Sequence, residues 1–505
     1  MPSYSAIRED NEAGSMASSS RGRRRRYSRG KKDVGIVGQA SWLSSNINLL
    51  NTIIGAGVLA MPSALSHMGM VLGILVIIWA GVTSAFGLYL QTRCARYLER
   101  GSASFFSLSQ ITYPNAAVIF DGAIAIKCFG VGVSYLIIIG DLMPGVIRAF
   151  SEDAGGFGFL LDRQFWITVF MLLVIPLSFL RRLDSLKYTS VIALISIGYL
   201  VVLVLYHFIK GDTLDQRGDV RVIKWGGPLA TLSSFPVIVF AYTCHQNMFS
   251  VLNEIKNNSH KSTTSVVGTS IGSAGIIYIL VAIAGYLSFG DNVGGNVVRM
   301  YGPSTASTIA KAAIVILFVF SYPLQVHPCR ASVDAILKWR PNLRKSPTDT
   351  SESSPSRLVS LLPPHRAMNQ ARADAMSDTR FAAISTVIII LSYLVAMTVS
   401  SLESVLAYVG STGSTSISFI LPGLFYYKIS DPDSAHQQKL LKEDDDEDES
   451  SSDDEADDGL LGRDRVRSGS WRKTLLRRLS LALAIYGLIV MIVCLITNTF
   501  FIVAH

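Results

Sequence analysis

The stretch Asn48-Leu49-Leu50-Asn51-Thr52-Ile53-Ile54-Gly55-Ala56-Gly57-Val58-Leu59-Ala60-Met61-Pro62 lies inside the first long apolar segment of the chain. Asparagines, a threonine, glycines and a proline stand where an ordinary membrane helix carries Leu and Val, and each glycine costs about 1 kcal/mol of helix propensity relative to alanine. The pattern predicts a broken helix. At membrane depth a break leaves N–H and C=O groups without helical partners, which hydrocarbon tolerates only where they face protein, a ligand or water. Glycine leaves the backbone bare for a carboxylate or cation to approach, and the half-helix ends supply partial charges for both. A small-residue packing face is the competing reading, but Gly55 and Gly57 do not have Gly-x-x-x-Gly spacing.

The 505 residues are 50% hydrophobic and only 16% charged, with mean hydropathy +0.39. This excludes one or two soluble domains and predicts an all-α polytopic membrane protein, since apolar runs of about 20 residues recur and the short alternating segments of a barrel do not. The net charge of +8 resides in loops and tails, so it reports orientation and does not imply nucleic-acid binding. The five cysteines lack Cys-x-x-Cys spacing, and no disulfide framework, metal site or cofactor is expected. No cleavable signal peptide is read, because the basic run Arg21 to Lys32 leads into polar sequence.

About eleven transmembrane helices are expected, at 42–66, 69–91, 116–149, 165–180, 188–209, 228–250, 265–289, 306–327, 381–400, 403–427 and 479–503. Basic residues after the second, fourth, sixth and eighth spans (Arg93, Arg96, Arg100; Arg181, Arg182, Lys187; Lys256, Lys261; Arg330, Lys338, Arg340, Arg344, Lys345) put those connections and the N-terminus in the cytosol. The 5–6 connection, with Lys210, Arg217, Arg221 and Lys224, argues the other way, although Asp212, Asp215 and Asp219 lie among those charges. The organisation expected is a disordered basic cytosolic N-tail at 1–38, a transporter core at 39–428 with a flexible cytosolic loop at 341–378, an acidic cytosolic loop at 429–478, and an eleventh span with a lumenal C-terminus at 479–505. The acidic block 443–458 runs into Asp457-Asp458-Gly459-Leu460-Leu461, an Asp-x-x-Leu-Leu pattern in which Asp457, Leu460 and Leu461 are sorting candidates for a trafficking adaptor. Ser450, Ser451 and Ser452 offer a kinase added charge; a solvated linker is the alternative.

Matched interrupted spans in two halves of a chain are a sequence pointer to a transporter's site. The sixth span supplies the match in Ser233-Ser234-Phe235-Pro236-Val237-Ile238-Val239-Phe240-Ala241-Tyr242-Thr243-Cys244-His245-Gln246-Asn247, where a polar cluster follows a proline. Spans one to five then pair with six to ten, span eleven is an addition, and the two broken helices face each other. Thr52, Gly55, Ala56, Gly57, Tyr242, Thr243 and His245 are the substrate-binding candidates, with backbone near Gly55 and Gly57 meeting a carboxylate. Ionisable groups within spans are functional candidates: Lys127 as a fixed cation or a structural ion pair, Asp141, and His245 as a proton carrier or a hydrogen-bond partner. Glu254 and Glu403 fall near span ends and are read as interfacial.

The first-span stretch resembles the signature of the amino acid/auxin permease family of the amino acid–polyamine–organocation superfamily. Lys127 to Gly130 with Ser134 to Asp141, then Ser321-Tyr322-Pro323 with His327 to Arg330, and Val409 to Gly423 match in order. The nearest likeness is to fungal vacuolar amino acid transporters. The resemblance implies a LeuT-like five-plus-five inverted repeat plus one extra helix, moving amino acids with a proton or sodium ion. It also makes Asn51 and Ser321 candidate sodium ligands, Ser321 standing where a threonine is usual. The expectation is a proton-coupled amino acid transporter, not an enzyme, in a vacuolar or lysosome-like membrane, with export to the cytosol favoured and the plasma membrane second. An amino acid sensor of the same fold and a sodium symporter are the alternatives.

Overall fold

A computed structural model describes residues 38–98, 100–150, 158–180, 189–338, 376–431 and 461–504. The expectations for the N-tail, most of the 341–378 loop, the acidic block, and the sorting candidates Asp457 and Leu460 fall outside these residues.

The described residues are nearly all helical. In chain order the helices are α1 (Trp42–Ile53), α2 (Gly57–Met68), α3 (Met70–Ala95), α4 (Phe105–Thr112), α5 (Ala117–Phe150), α6 (Arg163–Ser178), α7 (Thr189–Lys210), α8 (Pro228–Tyr242), α9 (His245–Glu254), α10 (His260–Phe289), α11 (Val297–Met300), α12 (Thr305–Lys338), α13 (Asp378–Thr398), α14 (Leu402–Val409), α15 (Leu421–Ile429) and α16 (Leu461–Ala504). Eight helical segments among the described residues are long and apolar enough to cross a bilayer, and α1 with α2 make a ninth span bent by 56°. The two other segments read as spans coincide with α6 and with the pair α8 and α9, each helix short of the roughly 20 residues a crossing needs. The fold is the expected all-α one; eleven is the span count only if both of these also cross. The helix that carries the last span begins at Leu461, well before the boundary at 479 read from the sequence.

Packing relies on small residues, as expected where lipid supplies no hydrophobic drive between helices. A Cβ on Gly130 of α5 would overlap Val409 of α14, and one on Gly132 would lie 3.3 Å from the Tyr322 ring of α12. Between α14 and α15 the backbone widens into π turns at Gly410–Ser414 and Ser416–Ile420. Thr415 Oγ1 donates to Gly410 O at 2.7 Å within the first. A Cβ on Gly410 would overlap the Pro236 carbonyl of α8, and one on Gly413 would lie 2.8 Å from the Lys127 backbone nitrogen.

The connections sort into two groups. Ala40 N donates to Glu254 O at 2.8 Å and Lys256 N to Ala40 O at 2.9 Å, while Arg100 donates to Lys256 O at 2.7 Å. The approach to span one therefore meets the 2–3 and 6–7 connections, the ones expected on the cytosolic side from their basic residues. In the other group Met70 N donates to Arg221 O at 2.9 Å and Gly218 N to Phe289 O at 2.8 Å, joining the 1–2, 5–6 and 7–8 connections. Two of the four 5–6 basic residues that spoke against the orientation have carboxylate partners: Lys210 pairs with Asp212 at 3.1 Å and Arg221 with Asp291 at 2.9 Å. Desolvation works against the Asp212 carboxylate, but hydrogen bonds from His207 and Lys210 outweigh it and hold its pKa below the ordinary value. Charge that is paired within the fold is a weaker retention signal, which lessens the objection this loop raises to the expected orientation.

Candidate functional site

Both interruptions fall where polar and small residues weaken the helix. In span one, Ile54 turns extended at φ −81°, ψ 93°, its N–H still reaching Leu50 O at 2.9 Å, and helix resumes at Gly57. The backbone N–H groups of Gly55 and Ala56 take no partner among the described residues. They point from the positive end of α2, an arrangement suited to an anion. In span six Thr243 is extended at φ −78°, ψ 104°, and α9 starts at His245. Pro236 lies inside α8, so the polar cluster, not the proline, sets this break.

Three contacts hold the breaks together. Asn247 Nδ2 donates to Thr52 Oγ1 at 3.0 Å, linking α9 to α1. A Cβ on Gly57 would overlap Ala241, linking α2 to α8. The Tyr278 hydroxyl of α10 lies 2.7 Å from Ile53 O and 2.8 Å from Ala241 O, at the C-terminal ends of α1 and α8.

The sequence candidates divide around this centre. Gly55 is half-buried and open: an added Cβ would find only the Tyr135 hydroxyl, at 3.8 Å. Ala56 offers its N–H, whereas Gly57 is a close-packing position. Thr52 also donates to Asn48 O at 3.0 Å. Tyr242 is buried, with its ring near Gly81 of α3 and its hydroxyl 3.0 Å from a Cβ placed on Gly275 of α10. Thr243 donates to Val239 O at 2.8 Å and contacts Ser418 Oγ at 3.2 Å. His245 is fully buried, Nε2 at 3.2 Å from Ser84 O and Nδ1 at 3.1 Å from Ser418 Oγ. The Ser84 carbonyl fixes Nε2–H and leaves Nδ1 as acceptor, so both ring nitrogens are used between helices.

Of the ion candidates, Asp141 pairs with Arg163 at 3.1 Å and with Arg299 at 3.9 Å. Arg163 also donates to Val399 O at 3.1 Å, so the group ties α5 to α6, α11 and the end of α13. Ser321 donates to Leu317 O of its own helix at 2.8 Å; Asn51 is half-buried in the last turn of α1. Lys127, only 4% exposed, makes no hydrogen bond or ion pair with the described residues. Cys244 and His245 at the span-six break are within its electrostatic reach. Glu403 contacts the Ser63 hydroxyl of α2 and is half-buried, so it joins span ten to span one and is more than interfacial.

A family model described as transmembrane amino acid transporter protein matches residues 38–444. The chain belongs to this family. It is 41% identical over 477 residues to vacuolar amino acid transporter 5 of Schizosaccharomyces pombe, covering 93% of this chain and 97% of the relative. It is 42% identical to vacuolar amino acid transporter 6 of Saccharomyces cerevisiae, covering 77% of this chain and 90% of the relative. Among solved structures it is similar to MhsT in complex with L-phenylalanine, with TM-score 0.53 and 13% identity over 92% of this chain and 100% of that one. That likeness shows the LeuT-like fold. The protein is a multi-pass transporter of the vacuolar membrane, not an enzyme.

The family match contains both breaks and stops short of α16. Sequence reasoning missed which side chain faces Gly55 and which one bridges the two breaks. Tyr135 of α5 stacks on Phe318 of α12, with ring centroids 4.5 Å apart and planes at 21°. Tyr135 stood within a quoted motif, but nothing in that motif says which helix face meets the break. Tyr278 gave no signal at all, being one of three aromatic residues in an apolar helix.

Proposed function

We propose that this vacuolar transporter moves amino acids by proton coupling, with export from vacuole to cytosol as the favoured direction. The observation that carries the amino acid part of this reading is the pair of unpartnered N–H groups, Gly55 and Ala56, at the positive end of α2. They suit a substrate carboxylate, and the Tyr135 hydroxyl, whose ring stacks on Phe318, lies beside Gly55. The relatives' names supply the amino acid as cargo.

For the ion, the pattern of partners favours a proton on Lys127. Asp141 is engaged with arginines and both nitrogens of His245 are used. Ser321 holds its helix carbonyl and offers one hydroxyl oxygen where a sodium ion requires several ligands. In reconstituted vesicles a pH gradient in sodium-free buffer is expected to drive accumulation, each pH unit being worth about 1.4 kcal/mol, or tenfold in concentration. An imposed sodium gradient at equal pH is expected to drive none. Accumulation driven by sodium alone would move the reading to a sodium symporter.

The Asp457, Leu460, Leu461 pattern is proposed as a sorting signal outside the transport core. Deleting 443–461 is expected to leave vesicle uptake at the wild-type rate and to redirect the protein from the vacuolar membrane. Unchanged location, seen by fluorescence microscopy, would reduce the segment to a linker.

A further inference from the structure

The C-terminal ends of α1 and α8 carry carbonyls that no helix can satisfy, and each end bears a partial negative charge. The ends converge: Ile53 O and Ala241 O both lie within hydrogen-bond distance of one oxygen, the Tyr278 hydroxyl, at 2.7 and 2.8 Å. Tyr278 is 0% exposed, and its ring meets Tyr242 edge-on, with centroids 5.1 Å apart. Unwound carbonyls and half-helix C-terminal ends are the groups with which a broken-helix transporter holds a cation. A single phenolic proton between two such carbonyls does the same electrostatic work with a weaker, fixed charge.

We propose that the Tyr278 hydroxyl stands in place of a monovalent cation at the junction of α1 and α8. It is a positioning residue: it holds the two breaks in register through the carbonyls and leaves no room there for sodium. The proposal deepens the coupling reading above but stands on the junction geometry, not on the identity of the driving ion. Tyr278→Phe keeps the ring and leaves both carbonyls orphaned in a space still filled by carbon. Tyr278→Ser removes the ring and leaves the two carbonyls beside a space that a sodium ion and its remaining waters can enter.

The test is thermal unfolding of the full-length detergent-purified protein in sodium chloride and in choline chloride. Wild type is expected to melt at the same temperature in both salts. Tyr278→Phe is expected to melt several degrees lower, equally in both. Tyr278→Ser is expected to melt lower in choline and to regain part of the loss in sodium, with a saturable dependence on sodium concentration. A role in packing alone would lower stability without that salt dependence. A saturable sodium shift in wild type, a Tyr278→Phe protein as stable as wild type, or Tyr278→Ser failing equally in both salts would each overturn the proposal. The readout needs no transport, so sodium-driven uptake by wild-type vesicles would remove proton coupling while leaving this result to be decided by its own measurement.

Discussion

Gly55→Leu is expected to abolish amino acid uptake while leaving the amount, location and melting temperature of the protein as in wild type; Gly57→Leu is expected to lose folded protein as well. The two glycines are one residue apart in the same break, yet their surroundings differ. A Cβ on Gly55 meets only Tyr135 Oη, at 3.8 Å, an ordinary contact, so the first atom of a new side chain fits. The rest of a leucine then occupies the open side of the free N–H groups. Two hydrogen bonds to a charged carboxylate at about 1.5–3 kcal/mol each correspond to at least roughly a hundredfold in affinity. A Cβ on Gly57 instead overlaps Ala241, backbone included, and forcing α2 away from α8 costs about 1–3 kcal/mol or more in overpacking. Alanine separates the effects most sharply: Gly55→Ala is expected to keep much of its uptake, and Gly57→Ala to melt lower. Uptake and melting temperature of the four variants check this. Normal uptake by Gly55→Leu would remove the substrate from this backbone.

Both breaks were legible because glycine, asparagine and clustered hydroxyls weaken a helix locally, and local effects are written in local sequence. The 5–6 loop shows the next level. Its basic residues read as a topological objection, and only the fold reveals that Arg221 reaches Asp291 across 70 positions. Asp141 is similar: an acid in a span is a candidate for function until Arg163 and Arg299 arrive from other helices. His245 is a candidate in the sequence because it lies in the polar cluster of the sixth span; the fold turns its ring toward Ser84 and Ser418. The run Gly410-Ser411-Thr412-Gly413-Ser414-Thr415 was visible as a motif, although its π turns and its closeness to Lys127 and Pro236 depend on α5 and α8. What the sequence could not show was the facing residue, and most of the site's chemistry is in those faces.

Lys127→Met is expected to abolish pH-driven accumulation while preserving exchange of amino acid across the membrane at equal concentrations. An ammonium buried without a counter-ion is costly, and Lys127 at 4% exposure has neither a hydrogen bond nor an ion pair among the described residues. The groups within its electrostatic reach are Cys128, Cys244 and His245, and none is a carboxylate. Asp121 is six residues earlier on α5, not a helical-neighbour spacing. A lysine so placed has reason to release its proton in one state of the cycle and take it up again in another, which is what coupling requires. Gly413 packs on the Lys127 backbone, so its position on α5 is fixed and changes in protonation act on the span-six break beside it. Methionine has nearly the same length and an apolar stem, so it should preserve the packing while removing the proton site. Wild-type accumulation should rise about tenfold per pH unit under one-proton coupling; in the variant the ratio should stay near one at every gradient, with exchange intact. Lys127→Arg should also fail to accumulate, because a guanidinium keeps its proton. Wild-type accumulation by Lys127→Met would take the proton away from Lys127, and loss of both accumulation and exchange would make the lysine a structural residue.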